Sequence, residues 1–143
     1  MEGLFTGTTQ SGLVIENGVV KSGRNCEGRI EVPEGTVGIG AQAFYQNKKL
    51  TGLKLPQGLK RIGKYAVNGC VDLEYIEVPE SVEELEEGAL VKKLDVVETK
   101  EYYPQIRCVE GSFTDKAILE MKKKDGWDKS HSNEHIVDLV YIR

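Results

Sequence analysis

A 23-residue period running from Ile30 to Leu90 limits the possible folds of this chain more than any other feature. Written as coils, the stretch reads IEVPEGTVGIGAQAFYQNKKLTG (30–52), LKLPQGLKRIGKYAVNGCVDLEY (53–75) and IEVPESVEELEEGAL (76–90). Ile30, Leu53 and Ile76 align, as do Val32, Leu55 and Val78, then Pro33, Pro56 and Pro79. Thr36, Leu59 and Val82 follow, then Ile39, Ile62 and Leu85, and finally Ala43, Ala66 and Ala89 beside Phe44, Val67 and Leu90. A fixed period in the twenties marks a solenoid, in which each unit buries its apolar face only against its neighbours.

Within each coil the chemistry is local. The alternations Ile30-x-Val32, Leu53-x-Leu55 and Ile76-x-Val78 predict a short strand with one buried face. Proline closes each strand where a ladder N–H would otherwise be required. Val32-Pro33-Glu34-Gly35 suits a type I turn, with Pro second and Gly fourth. Ser81 takes the place of that Gly in the third coil, so a positive φ is not obligatory there. A second short strand is expected to end at Ile39, Ile62 and Leu85, followed by one turn of α- or 3₁₀-helix around each Ala-apolar pair. Elements this short leave no room for full helices on one side, and a flattened, curved solenoid is the expected shape.

The segments Leu50-x-x-Leu53-x-Leu55-Pro56 and Leu73-x-x-Ile76-x-Val78-Pro79 each lead into a Val/Leu-x-x-Ile/Leu and an Ala-apolar pair. With Phe44, and Asn68-Gly69-Cys70 before Leu73, they resemble leucine-rich repeats of the bacterial surface-antigen (BspA-like) type. The resemblance covers roughly residues 13–127. It implies a leucine-rich repeat solenoid, an α/β superhelix rich in strands with short helical turns. It also implies an interaction scaffold, often on cell surfaces, with no common catalytic residues.

The flanks divide the chain into residues 1–29, 30–98 and 99–143, all within one domain. Residues 1–12 are Gly- and Thr-rich and are expected to be loosely held. Two apolar runs then flank Asn17-Gly18, the strongest short signal for a type I′ hairpin, here expected to cap the N-terminal end of the stack. After Leu90 the repeat fails. Val96 keeps the place of Leu50 and Leu73, but Thr99 and Glu101 stand where Ile76 and Val78 would recur, so 91–105 reads as an insertion or irregular coil. Ile106–Val109 is a plausible last strand. Ser112 and Asp115 make an acidic variant of the capping box, opening a helix with a stripe of Phe113, Ala117, Ile118 and Met121. Lys122–Lys124 suit its last turn and Gly126 its stop. Trp127 is expected to pack under this C-terminal helical cap, and His135–Ile142 to add a final strand.

Composition excludes several classes. The net charge of −4 lacks the basic footprint of a nucleic-acid binder. No run of about 18 apolar residues exists to span a membrane. No basic segment followed by an apolar one opens the chain, so no signal peptide is visible. By residues alone either a cytoplasmic location or a trimmed piece of a longer protein is expected, whereas the family resemblance implies a place outside the cell or on its surface, and the localisation stays open. The three cysteines, Cys26, Cys70 and Cys108, form no CxxC pair and no disulfide framework, and Cys70 reads as a small buried thiol. Cys26 and Cys70 are expected about two coils apart, too far for a bond between them.

Chemical motifs are few. Gly38-x-Gly40-x-x-Ala43 imitates a dinucleotide fingerprint, but Arg61 and Glu84 replace Gly38 in later coils. His131-x-x-x-His135 places Glu134 directly before the second His, not directly after the first as HExxH on a helix requires, and reads as a linker rather than a zinc site. Glu83, Glu84, Glu86 and Glu87 lack an apolar wall and read as a solvated face. No catalytic residue, metal site, cofactor or small-molecule substrate is expected. Residues 53–75 carry a net +2 and residues 76–98 a net −6, stacked one coil apart. Stacking pairs Lys60 with Glu83 and Arg61 with Glu84, and sets Lys54 between Glu31 and Glu77. The favoured role is a non-catalytic protein-interaction scaffold. A structural or stalk segment of a larger surface protein is the alternative, with a small-ligand binder or enzyme behind it. The expected partner-binding face comprises Arg29, Glu31, Gly52, Lys54, Tyr75 and Glu77, with Gly52 leaving room for an inserted side chain. Glu83 and Glu84 add an acidic flank. The partner is an unidentified protein.

Overall fold

The computed structural model describes residues 4–125 and 134–142. Strand β1 (Gly7–Thr8) pairs antiparallel with β2 (Val14–Glu16), so the N-terminal segment is tied to the hairpin from Gly7 onward. Asn17 and Gly18 both hold positive φ, at 49° and 73°, as the type I′ turn requires. They turn β2 into β3 (Val19–Ser22).

The coils follow the period. Their first strands are β4 (Gly28–Glu31), β6 (Leu50–Lys54) and β8 (Tyr75–Glu77); their second strands are β5 (Gly38–Ile39), β7 (Arg61–Ile62) and β9 (Glu84–Leu85). From coil to coil, first strands pair with first strands and second with second, in parallel. Ile30 lies opposite Leu53 and Leu53 opposite Ile76; Ile39 lies opposite Ile62 and Ile62 opposite Leu85. The inward rows from both sheets fill one core with Leu13, Ile15, Val20 and Phe44. Gly35 and Gly58 take φ of 91° and 96° in the turn after each proline. Ser81 does without a positive φ, and its hydroxyl instead donates to Leu59 O and accepts from Gly58 N.

No helical turn forms around Ala43-Phe44, Ala66-Val67 or Ala89-Leu90; the segments are linked turns. Gln42, Gln46 and Tyr65 have φ of 55°, 57° and 52°, which breaks a right-handed helix at each of them. The reward is a third ladder. Gln42, Phe44 and Gln46 donate their N–H groups to Lys64, Ala66 and Asn68 of the next coil at 2.8–2.9 Å. Asn47 closes the first coil, its side-chain amide donating to Gly23 O and Cys26 O and its Oδ1 accepting from Lys49 and Leu50.

Past Leu90 the insertion is itself ordered. Strands β10 (Lys93–Asp95) and β11 (Lys100–Tyr102) form a hairpin, with the Asp95 carboxylate accepting from Val97 N and Glu98 N at its tip. Val96 is 73 % exposed there, so it does not keep the place of Leu50 and Leu73. Strand β12 (Gln105–Cys108) then rejoins the five-stranded sheet with Ile106 opposite Ile76, 30 residues later instead of 23.

Helix α1 (Phe113–Asp125) opens as the capping residues dictate: Ser112 Oγ accepts from Asp115 N, while the Asp115 carboxylate reaches back to Gly111 N at 2.7 Å. Its inward side is Thr114, Asp115 and Ile118, with Met121 against the core; Phe113 is exposed, one position off the expected stripe. The tail gives two strands where one was expected. Strand β13 (Glu134–Ile136) adds to β11, and β14 (Leu139–Tyr141) adds parallel to β12. Gly126, Trp127 and His131 lie outside the described residues. The result is an open, strand-rich stack of two main sheets, ordered β1-β2-β3-β5-β7-β9 and β14-β12-β8-β6-β4.

Candidate partner-binding face

Residues between the buried ones of the first strands form two outward rows. One runs Arg29, Gly52, Tyr75, Gln105; the other runs Glu31, Lys54, Glu77, Arg107. The parallel ladder fixes both, because a one-residue slip would turn Ile30, Leu53 and Ile76 to solvent. Arg29, Glu31, Gly52, Lys54, Tyr75 and Glu77 therefore share a surface.

Its centre is Tyr75. The ring lies over Gly52: a Cβ added there would sit 2.5 Å from ring carbons. The space expected above Gly52 for an incoming side chain is thus filled by the neighbouring tyrosine. On the next strand the Arg107 guanidinium stands 3.9 Å from the centre of the same ring, a cation–π contact. Arg107 Nε donates to Gln105 Oε1 at 2.7 Å, and Gln105 Nε2 donates to Asp138 Oδ2 at 2.9 Å. Tyr75 is half-buried and its plate is held from both sides. Lys54 Nζ lies 3.9 Å from Glu31 on the flank, an exposed pair that sets register more than stability.

Glu84 is brought opposite Arg61, and Glu83 N–H donates to Lys60 O, as the period requires. Glu84 belongs to the six-stranded sheet and Glu83 leads into it, so the structure does not bring them onto the face that carries Tyr75 and Glu77. Gln105, Arg107 and Asp138 do join that face. Alternation in Gln105-Ile106-Arg107-Cys108 carries the signal for the first two, but the insertion hides it from a count by 23.

Elsewhere, an apolar cleft of about 230 Å³ between the third coil and α1 is lined by Leu85, Ala89, Leu90, Val91, Tyr103 and Met121. It is smaller than the several hundred cubic ångströms of ordinary ligand pockets. Cys26, Cys70 and Cys108 are unpaired and buried. Burial pushes the Cys70 thiol up to about 11, and its Sγ donates to Phe44 O at 2.9 Å. Burial likewise raises Cys26 and Cys108, which removes thiolate reactivity at neutral pH. The Asp115 carboxylate, by accepting from the Tyr141 hydroxyl at 2.9 Å, holds that group up to about 12.

Stacked coils with an ordered, outward sheet face define a repeat scaffold. The chain belongs to the BspA type leucine-rich repeat family: the model of that region, described as 6 copies, matches residues 15–117. The match runs past the three regular coils at both ends, taking in the hairpin β2–β3, strand β12 and the start of α1. Neither a curated protein nor a solved structure matches the chain. Repeats of this type commonly mediate protein interaction and are typically non-enzymatic. Among the described residues, no helix is long and apolar enough to cross a membrane.

Proposed function

We propose that the protein is a non-catalytic interaction scaffold that holds a partner protein on the outward face of its five-stranded sheet. The observation that carries this reading is the Gly52–Tyr75–Arg107 stack. Tyrosine and arginine dominate binding hot spots because each combines contact area with polar recognition. Here both are set in place before binding, which lowers the ordering cost of association. Arg29, Glu31, Lys54, Glu77 and Asp138 surround them with alternating charge, so the partner presents a polar surface of opposite alternation. Glu83 and Glu84, on the other sheet, steer a basic approach from a distance rather than touch the bound surface.

In this reading the chain is one domain. Residues 1–29 carry the N-terminal capping hairpin, 30–98 the repeats, and 99–143 the C-terminal strand, helix and tail cap. Family precedent for surface-associated repeats favours action at a cell surface.

The test is affinity capture of a partner followed by titration calorimetry with Tyr75→Ala combined with Glu77→Lys. Affinity is expected to fall at least about 30-fold, the loss of one hot spot of roughly 2 kcal/mol. Loss of the tyrosine–guanidinium contact lowers stability by only about 1 kcal/mol. A partner that binds the folded double variant normally would place the site elsewhere.

A further inference from the structure

The five-stranded sheet is open at both ends, and its two edges are the two halves of one recurring interface. Every strand in it is parallel. Buried-row residues of each strand bond forward, and outward-row residues of the next strand receive. Val32 N–H donates to Lys54 O, Leu55 N–H to Glu77 O, Val78 N–H to Arg107 O and Ile106 N–H to Asp138 O, all at 2.8–3.0 Å. Backbone groups alternate sides along a strand. On β14, Asp138 O and Ile142 N–H bond back to β12, so Leu139 and Tyr141 turn their N–H and C=O groups outward. On β4, Gly28 and Val32 N–H groups bond to the β6 strand and its lead-in, so Arg29 and Glu31 turn theirs outward. The forward half of the interface is exposed at β14 and the receiving half at β4.

We propose that a second copy of this chain joins the first head to tail, with β4 of one adding in parallel to β14 of the other. The rows determine the register. Leu139 continues the row of Ile30, Leu53, Ile76 and Ile106, and Tyr141 that of Val32, Leu55, Val78 and Cys108. Leu139 N–H then donates to Arg29 C=O of the second copy, and Tyr141 N–H to its Glu31 C=O. The same register sets Asp138, which follows Gln105 in its row, beside Arg29 of the second copy. Opposite charges meet at the seam, as they do between Glu31 and Lys54 within the chain. Val140, Tyr141 and Ile142 are each more than a third exposed at this end, an apolar margin that a second copy covers. Such a contact is heterologous and leaves a free β4 edge and a free β14 edge on a pair of copies, so the assembly grows beyond a dimer.

Sedimentation equilibrium from micromolar to millimolar protein tests this. The average mass is expected to rise with concentration and to pass that of a dimer. Arg29→Asp and Asp138→Arg each put like charges at the seam and should weaken association at least about tenfold. An equimolar mixture of the two variants restores opposite pairs and should associate like the parent. Tyr75→Ala should leave assembly unchanged, which separates this edge from the partner-binding face. A parent that stays monomeric, a mass that stops at two, single variants that associate like the parent, or a mixture no better than either alone would each overturn the proposal. Should a charge variant fail to fold, hydrogen exchange of the parent decides. Leu139 and Tyr141 amides should slow together as concentration rises, and slowing confined to Arg29 and Glu31 would indicate a symmetric β4–β4 pair instead.

Discussion

The coils between Ile30 and Leu90 and the segment from Val91 to Ile142 are built into the same sheets by different means. In the coils, the same positions turn inward in every repeat, mostly with apolar side chains, and neighbours pair at 23-residue offsets in two sheets at once. In the later segment only β12 and β14 keep the rows of the first sheet, and the second sheet stops at β9. What replaces it is a hairpin, a helix and a third small sheet of β10, β11 and β13. Repetition makes each coil dependent on its neighbours, whereas the later segment draws its stability from contacts made once.

Removal of the later segment is the harshest way to break this comparison. A fragment ending at Val96 loses β12, α1 and β14, leaving Ile76, Val78, Leu85 and Leu90 at an uncovered end and β8 as an open edge. It is expected to aggregate or to unfold without a cooperative transition. A soluble, monomeric fragment with a sharp thermal transition would show that the last coil needs no cover.

Single truncations sharpen the contrast. Ile76 is fully buried in the middle of its row, so Ile76→Ala should cost about 2–5 kcal/mol through lost burial and a residual cavity. Leu94, in the inserted hairpin, is 43 % exposed, and Leu94→Ala should change stability by no more than about 0.5 kcal/mol. Urea unfolding of both variants checks the difference, and comparable losses would mean that the hairpin is as much a part of the core as the coils.

The pH dependence is a smaller effect. Cys70, in the coils, titrates near 11 in the folded chain against 9.0 for an unperturbed thiol. The folded state therefore holds its proton more tightly, and the stabilisation is complete below pH 9 and lost as pH rises through about 11. Cys70→Ala should flatten that alkaline loss in urea titrations. An unchanged alkaline profile in the variant would assign the loss to other groups.

How far each region was legible follows the same division. Ile39, Ile62 and Leu85 end their strands where the period puts them, and the Asn17-Gly18 turn follows from two residues that tolerate positive φ. The Ala-apolar segments depart from the expected helical turn although Gln42, Gln46 and Tyr65 are unremarkable helix residues; their positive φ comes from the ladder to the next coil, which no local pattern carries. Val96 imitates a repeat leucine in spacing alone and ends on a hairpin tip. On the candidate face, Arg29 through Glu77 could be placed by alternation. Arg107 could not, since its partnership with Tyr75 depends on a register shift that the inserted hairpin introduces.

Disulfide trapping tests the 23-residue register on which the whole account depends. Lys54 and Glu77 are direct partners on adjacent strands, roughly 4.8 Å apart, within the Cα range that a disulfide accepts. Lys54 and Arg107 are two strands apart in the same row, roughly 10 Å and beyond that range. The native cysteines are buried and remain silent under mild oxidation. Lys54→Cys with Glu77→Cys should close an intramolecular bond rapidly without loss of the folded signal, and Lys54→Cys with Arg107→Cys should not. Bond formation in the second pair and not in the first would contradict the stacking order and the candidate face with it.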